Sequence, residues 1–288
     1  MLKFLTLCIS GVMLGCIYGL IALGYGLIYK ASGLMSFVQG DMLTLGAFLG
    51  LTYWLSLLLT MLCAFAFGML LEKGVIRRLL NKKVMPIYVV LATIAISYIL
   101  QNGSQLIWGT WTLNFPSVFK ASTVKLFGLL AVQPEVILCL ILSMVSMVVL
   151  HLFMNKTKLG TAMRASSMDS MAAESCGINV SLTTGITWGV SAMLAAMAGI
   201  LIGPMYGVYS SLGANLGNKG FDGAIHIAGG YGNMYGAIVG GILLGLLEIL
   251  VSGYVSSAYK NLIAYVALLL FLCIKPTGLF NERAIQDV

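Results

Sequence analysis

The chain has 288 residues, of which 60% are hydrophobic and only 9% are charged, and its mean hydropathy is +1.00. Soluble domains carry about 25% charged residues, so this composition excludes a water-soluble globular protein. The formal net charge of +7 does not indicate a nucleic-acid-binding surface. The basic residues cluster between apolar runs, which is the pattern that orients membrane proteins.

Apolar runs follow one another along almost the whole chain, and several reach the roughly 20 residues that a helix needs to cross a bilayer. They cover residues 3–28, 34–49, 51–71, 86–107, 135–153, 185–208, 222–231, 234–251 and 261–274. The runs 34–49 and 222–231 are short, rich in glycine and contain an acidic residue, so we expect broken or re-entrant helices there. The sequence therefore predicts an all-α, polytopic transmembrane helix bundle of about eight to ten spans, forming a single domain over residues 1–288.

Glycine and alanine recur at every fourth position within several of these runs. The series are Gly11, Gly15 and Gly19; Ala195, Gly199, Gly203 and Gly207; Gly236 and Gly240; and Gly241 and Gly245. Small residues let membrane helices approach closely, so we predict tight helix–helix contacts along these series, with hinges or points of substrate approach as the alternative for a minority. The first run has no clean small-residue cleavage site after it, which indicates a spanning helix rather than a removed signal peptide.

Basic residues indicate the orientation of the chain, because Lys and Arg are enriched in cytoplasmic loops. The two basic segments are 72–84, with Lys73, Arg77, Arg78, Lys82 and Lys83, and 154–184, with Lys156, Lys158 and Arg164. Two predicted spans separate these segments, so both are expected in the cytoplasm and the connection 108–134 outside. If every run crosses the membrane, the N-terminus is external and the C-terminus is cytoplasmic. A run that dips in and returns changes the side of one terminus.

The second basic segment is predicted to contain a helix. Residues 161–176 include no Pro or Gly, Thr161 is suited to the N-cap, and Gly177 is suited to end the helix. Asp169 and Glu174 flank a small apolar strip in its second half, which comprises Met168, Met171, Ala172 and Cys176. A helix of this kind between two spans is suited to docking into a groove on a soluble partner. The alternative is a helix lying flat on the membrane, which normally carries more Lys and Arg.

Several polar side chains fall inside the apolar runs, where a charge costs about 2.5–3.5 kcal/mol and normally faces a cavity or a partner. They are Gln39, Asp41, Gln101, Asn102, Asp222, His226 and Glu248. Glycine-interrupted helices expose backbone groups that must be buried in protein or face water, and such breaks commonly form transporter substrate sites. We therefore predict a translocation pathway lined by Ser36, Phe37, Gln39, Gly40, Asp41, Gln101, Asn102, Gly229, Gly230 and Gly232. The alternative for Asp41 and Glu248 is a helix-end position near the membrane interface.

No recognisable catalytic or metal-binding motif occurs in the sequence. The two histidines, His151 and His226, are isolated, and the six cysteines form no C-x-x-C pair. We therefore expect no cofactor, metal site or disulfide. The phosphate-binding sequence G-x-x-x-x-G-K-[ST] is also missing from the chain, so any ATP that drives its function must bind to another protein.

The loop sequence LGTAMRASSMDSMAAESCGINV, residues 159–180, contains the spacing G-x-x-x-R-A-x-x-x-D-x-x-x-A-x-x-x-G-I. The residues that carry this spacing are Gly160, Arg164, Ala165, Asp169, Ala173, Gly177 and Ile178. It resembles the signature of permease subunits of the bacterial branched-chain amino-acid ABC importers. Three further stretches resemble that family in the same order: GLMSFVQGDMLTLG at 33–46, LATIAISYILQN at 91–102, and GGYGNMYGAIVGGILLGLLEIL at 229–250 with the terminal KPTGLF. The length is similar to that of the LivH-type subunit.

This resemblance implies a permease subunit of an ATP-driven importer in the bacterial cytoplasmic (inner) membrane, which translocates branched-chain or other hydrophobic amino acids by alternating access. It implies cytoplasmic ABC ATPase subunits docked on a coupling loop at 155–184. It also implies a second permease subunit (LivM-like) or a second copy of this chain, and an extracytoplasmic substrate-binding protein. The residues assigned to ATPase coupling are Arg164, Ala165, Asp169, Ala173, Glu174 and Gly177.

Four positions depart from the family pattern. Ser36 replaces the usual Asn, Gln39 the common His, Asp41 the usual Glu and Ala95 the usual Gly. Because the first three lie in the predicted pathway, a related small zwitterion or amide such as urea is the alternative substrate. The alternative function is an ion-coupled secondary transporter that uses intramembrane carboxylates as ion sites, although it would need no docking helix. An intramembrane enzyme and a passive channel are weaker alternatives, because neither a nucleophile–base pair nor a repeated selectivity element is present.

Overall fold

The computed structural model describes residues 2–33, 35–50, 53–82, 84–113, 124–126, 130–222 and 234–274. The helices in chain order are α1 (Leu2–Ser32), α2 (Val38–Leu49), α3 (Tyr53–Leu71), α4 (Arg77–Asn81), α5 (Pro86–Trp108), α6 (Pro134–Lys156), α7 (Lys158–Met168), α8 (Ser170–Ser175), α9 (Val180–Tyr206), α10 (Leu212–Asp222), α11 (Met234–Tyr254) and α12 (Lys260–Ile274). A π-helical turn (Glu72–Ile76) joins α3 to α4, and a 3-10 turn (Ser257–Tyr259) precedes α12. The predicted all-α helix bundle is confirmed. A small antiparallel hairpin of β1 (Val124–Leu126) and β2 (Leu130–Val132) lies between α5 and α6.

Six helical stretches in the described residues are long and apolar enough to span a membrane. They are Lys3–Ser32, Leu57–Asn81, Pro86–Trp108, Pro134–Lys156, Val180–Tyr206 and Gly236–Tyr254. Helices α2 and α10 have only 12 and 11 residues, which is too short to cross about 30 Å of hydrocarbon. Helix α2 corresponds to the predicted short run 34–49, whereas α10 follows no apolar run and was not predicted. The predicted run 222–231 lies outside the described residues after its first residue.

Helices α1 and α9 form the centre of the bundle. The most apolar part of α9 is 89% buried inside the protein, whereas the corresponding parts of α3, α5 and α6 are only 22–28% buried. Helix α1 packs against α11, α9, α6 and α10, and α9 also packs against α2 and α3. The outer helices expose large apolar side chains such as Leu62, Ile99 and Val149. In a chain of this composition, those side chains are expected to face lipid.

The α1–α11 contact is built from the predicted glycine series. A β-carbon at Gly15 would lie 2.5 Å from the Cα of Ile242, and one at Gly245 would lie 2.3 Å from the backbone nitrogen of Gly15. On the next turn, a β-carbon at Gly241 would lie 2.5 Å from the backbone nitrogen of Gly19. Only glycine permits this approach of two backbones, so the predicted tight helix–helix contact is confirmed for these residues.

The two predicted cytoplasmic segments meet at one end of the bundle. At one end, Ile28 packs with Ile76, Val89 and Trp188, and α4 and the α6–α7 junction lie there. We call this the basic end, because both predicted cytoplasmic segments meet at it. At the opposite end, the Lys3 ammonium lies over the ring of Tyr254. The start of α1 and the end of α11 are therefore remote from the basic end, which is the arrangement expected of an external N-terminus.

Candidate coupling segment and translocation site

Helices α7 and α8 form a rigid link between α6 and α9 at the basic end. The Thr157 hydroxyl accepts a hydrogen bond of 3.0 Å from the backbone N–H of Gly160 and begins α7. The Asp169 carboxylate accepts one of 3.0 Å from the backbone N–H of Ala172 and begins α8. Both are N-caps, which satisfy backbone donors that the first helical turn leaves without a partner.

The prediction of one continuous helix over residues 161–176 is wrong. Asp169 has an extended backbone, with φ −152° and ψ 110°, because its short carboxylate competes for backbone N–H groups and starts a new helix. The N-cap is Thr157 rather than the predicted Thr161. The predicted stop at Gly177 is confirmed, because this residue follows the C-cap Cys176 of α8 and has a φ of +82°.

One side of the segment packs on the bundle. Met163 and Ala173 are buried, and the Thr183 hydroxyl on α9 donates a hydrogen bond of 3.0 Å to the Ser166 hydroxyl. Gly160 lies against the end of α6, where a β-carbon would come within 2.4 Å of the Phe153 carbonyl oxygen. The segment therefore packs against both α6 and α9.

The other side of the segment is exposed and carries two methionines. Met168 is 87% exposed and Met171 is 79% exposed, and the Asp169 and Glu174 side chains beside them are exposed as well. Of the remaining predicted coupling residues, Arg164 and Gly177 are exposed, Ala165 is half-buried and Ala173 is buried. Flexible thioether side chains adapt to a partner surface, so this face fits a protein groove.

A second link at the basic end was not predicted. Glu72, in the π-helical turn, is buried and forms an ion pair with Arg77. The Thr184 hydroxyl on α9 donates a hydrogen bond of 3.2 Å to Glu72, and the Arg77 guanidinium also donates to the Ser181 carbonyl. The sequence marked Arg77 only as a basic loop residue. In the structure it ties the end of α3 to the first turn of α9.

The start of α2 lies among buried polar groups, as the predicted helix break requires. The Gln39 amide donates a hydrogen bond of 2.8 Å to the Ser191 carbonyl, and the Ser191 hydroxyl lies 2.9 Å from the Gln39 carbonyl oxygen and 2.7 Å from the Gly24 carbonyl. These bonds connect α1, α2 and α9. Ser36 and Trp188 border a small recess beside Gln39, and their polar atoms are buried without hydrogen-bond partners among the described residues. The recess has room for about one water molecule.

Asp41 and Gln101, which were predicted from separate runs, come together between α2 and α5. The Asp41 carboxylate is buried, and the side chains of Ser97 and Gln101 lie close enough to interact with it. Neither makes a hydrogen bond of normal geometry to the carboxylate, while Gln101 donates one of 3.3 Å to the Ser97 hydroxyl. A polar cluster within the membrane-spanning part of a protein normally lies beside a water-filled path or a polar partner.

The other predicted pathway residues differ in their surroundings. Gly40 is a packing position, because a β-carbon there would lie 2.6 Å from the Gly213 carbonyl oxygen on α10. Asn102 is exposed, and its amide donates a hydrogen bond of 2.7 Å to the Tyr98 carbonyl. Phe37 is half-buried. Three of the predicted residues, Gly229, Gly230 and Gly232, lie outside the described part of the chain.

A family model for the branched-chain amino acid transport system permease component matches residues 7–272. The chain belongs to this family. This permease is 30% identical to the high-affinity branched-chain amino acid transport system permease protein LivH of Escherichia coli (strain K12), covering 100% of this chain and 98% of that protein. It is 29% identical to LivH of Salmonella typhimurium with the same coverage. It is also 30% identical to the high-affinity branched-chain amino acid transport system permease protein BraD of Pseudomonas aeruginosa, covering 99% of this chain and 98% of that protein.

No solved structure matches the permease. Its family and its apolar helices make it a multi-pass protein of the bacterial inner membrane and a transport subunit rather than an enzyme. The resemblance stated from the motifs is thereby confirmed. The assignment of individual pathway and coupling residues stays a prediction.

The permease also contains a buried ion pair that sequence reasoning identified only in part. The Lys219 ammonium on α10 lies 2.8 Å from the Glu248 carboxylate on α11. The Tyr18 hydroxyl donates a hydrogen bond of 2.7 Å to the second carboxylate oxygen, and Lys219 donates one of 2.6 Å to the Asn261 side chain. Glu248 was singled out as an intramembrane acid. Its partner Lys219 was missed because α10 has no apolar run to reveal it.

Removal of the Asp169 cap gives a test of the coupling segment of the permease. We expect Asp169→Ala to destabilise α8 by about 1 kcal/mol, which corresponds to roughly fivefold faster amide exchange in residues 170–176. Asp169→Asn keeps a capping oxygen and should exchange at the wild-type rate. Hydrogen–deuterium exchange in detergent measures both, and equal rates in all three proteins would contradict the capping role.

Proposed function

We propose that the permease is the membrane-spanning subunit of an ATP-driven importer that translocates branched-chain or other hydrophobic amino acids by alternating access. The observation that carries this proposal is the capped α7–α8 segment, which is fixed to two spanning helices and presents Met168 and Met171 to the solvent. The names of LivH and BraD support the substrate class. Because Ser36, Gln39 and Asp41 depart from the family pattern, the proposal extends to related small zwitterions and amides such as urea.

The proposed partners follow from what this chain lacks and what it exposes. It contains no phosphate-binding G-x-x-x-x-G-K-[ST] sequence, so ATP hydrolysis belongs to cytoplasmic ABC ATPase subunits that dock on the segment 155–184. A second permease subunit (LivM-like) or a second copy of this chain completes the membrane assembly. An extracytoplasmic binding protein delivers the substrate at the end opposite the basic end.

In the proposed mechanism, ATP brings the ATPases together and moves α7 and α8 as a lever. Since Gly160 packs on α6 and Ser166 bonds to Thr183 on α9, both spanning helices must follow the lever. The Glu72–Arg77 pair transmits the same displacement from α9 to α3 and α4. A solute path beside Asp41, Gln101 and the helix break at Ser36 then opens alternately to each side of the membrane.

One candidate site of the ion-coupled alternative, Glu248, is already occupied by protein partners. Glu248, one of its candidate ion sites, is bonded through both carboxylate oxygens to Tyr18 and Lys219. An ammonium at 2.8 Å neutralises the carboxylate and occupies the position that a coupling cation would need. Asp222, another candidate, is the last residue of α10.

Substitution of the exposed methionines tests the docking proposal. We expect Met168→Glu and Met171→Glu each to weaken ATPase binding about 30-fold, because a charge replaces an apolar side chain at the centre of the docking face. The measurement is recovery of the ATPases with the affinity-purified permease from its native membrane. Met85→Glu is the matched control, since Met85 is also at the basic end and 68% exposed but lies outside the segment. Unchanged ATPase recovery in both variants would overturn the proposal.

A further inference from the structure

Helix α10 is a short helix that enters the bundle to membrane depth. A β-carbon at Gly217 would lie 2.6 Å from the Cα of Gly40 on α2, and one at Gly220 would lie 3.0 Å from the Ile21 side chain on α1. Ile21 lies about 27 Å along α1 from Lys3, at 1.5 Å per residue. Ile21 is therefore at or beyond the middle of the membrane. The glycine face of α10 is therefore packed against two central helices inside the membrane-spanning part of the protein.

The outward face of α10 is polar but uncharged. Ser211, Asn215 and Asn218 are exposed, and their spacing of four and three residues places them on one side of the helix. The amide side chains of Asn215 and Asn218 have no hydrogen-bond partner among the described residues. The cation of the same helix, Lys219, points away from this face into its pair with Glu248, with its side chain only 8% exposed.

This polar face continues onto α5. The Gln105 amide donates a hydrogen bond of 3.0 Å to the Ser210 hydroxyl just before α10, and Asn102, one turn earlier on α5, is exposed as well. Ile99 and Leu106, which are exposed three residues before and four residues after Asn102, mark the edge of this polar face, because apolar side chains there are suited to lipid contact. Amides without partners do not face hydrocarbon, because an unmade hydrogen bond there costs several kcal/mol.

We propose that Asn215 and Asn218 form part of the wall of the solute path. Their amides supply both donors and acceptors, which suit the ammonium and carboxylate groups of a free amino acid, and the Lys219–Glu248 pair keeps a fixed charge out of this wall. The inference rests on the proposed amino-acid transport, and it adds an element that the predicted pathway did not include. Helix α10 thereby serves both as a wall of the path and as a packing element for α2 beside Asp41.

The test uses the complete importer, with its ATPases, partner permease and binding protein, in proteoliposomes that are supplied with radiolabelled leucine. We expect Asn215→Leu and Asn218→Leu each to lower the rate of leucine uptake about tenfold, with normal assembly. Asn81→Leu is the matched control, because Asn81 is an exposed asparagine at the basic end, and it should transport at the wild-type rate. A wild-type importer that takes up none of leucine, isoleucine, valine and urea would refute the proposed function. Wild-type rates in both α10 variants would overturn this inference alone.

If a leucine variant fails to assemble, thiol labelling tests whether Asn218 faces the solute path. Asn218→Cys should react with a membrane-impermeant maleimide above the background of the native cysteines, and leucine-loaded binding protein should slow the reaction. Val149→Cys on α6 is the control, since Val149 is exposed on a lipid-facing helix and should stay unlabelled. Lack of labelling at Asn218→Cys, or labelling that the loaded binding protein does not slow, overturns the inference.

Discussion

Lys219→Met is expected to destabilise the permease by about 3 kcal/mol or more, because it leaves the Glu248 carboxylate buried without its closest cation. Glu248 is only 2% exposed, and the second cation, Lys260, lies 3.7 Å away with a side chain that is 31% exposed. Lys260 therefore compensates for the loss only in part. The measurement is the thermal unfolding midpoint in detergent, together with the yield of monodisperse protein.

The double variant Lys219→Met/Glu248→Leu separates the ion pair from simple loss of packing. Removing both charges abolishes the uncompensated carboxylate, so we expect the double variant to be clearly more stable than Lys219→Met alone. Tyr18 then loses its acceptor, which leaves some destabilisation relative to the wild type. A double variant that is less stable than Lys219→Met would show that Lys219 acts through its contacts rather than through its charge.

Gly15→Leu is expected to abolish the folded state. A β-carbon at Gly15 would lie 2.5 Å from the Cα of Ile242 and 2.9 Å from the Gly241 carbonyl oxygen, and these are backbone atoms of α11 that cannot rotate away. A leucine there must separate α1 from α11 along their whole contact, because membrane helices associate through close packing rather than through the hydrophobic effect. Size-exclusion chromatography of the protein from detergent extracts measures the result as loss of the monodisperse peak.

Gly103→Leu is the matched control for this substitution. Gly103 lies within α5, but a β-carbon there would have no neighbouring atom within 4 Å, so we expect a normal chromatographic profile. The two variants make the same change in the same type of helix and differ only in the space available. A normal peak for Gly15→Leu would contradict the close approach of α1 and α11.

Glycine contacts and the buried ion pair both hold helix α10 in place. Helix α10 is packed through Gly213 against Gly40 and is anchored through Lys219 to α11 and α12. Loss of the Lys219 contacts therefore leaves a helix with polar exposed residues that is held by its glycine contacts to α1 and α2. If α10 forms part of the solute path, a substitution that weakens the Lys219 contacts without removing them should lower the transport rate before it lowers the yield of protein.

The sequence by itself determined the membrane class, the long helices, the glycine series that pack tightly and the stop at Gly177, whereas the pairing of α1 with α11 came from the structure. These features depend on composition, on periodicity and on the backbone preference of single residues, all of which are local along the chain. The family resemblance was also readable, because its motifs have fixed spacing. The break at Asp169 was missed because helix propensity and capping compete there, and the outcome depends on how Met163 and Ala173 pack against the bundle on either side.

Only the tertiary structure decided which polar residues meet. Gln39 bonds to Ser191, 152 positions away, and Tyr18 bonds to Glu248, 230 positions away. Helix α10 has a polar outer face, so a search for apolar runs could not find it, and its pairing with Glu248 could not be inferred. Pairing at such separations follows from the distances between packed helices, and neither hydropathy nor periodicity contains that information.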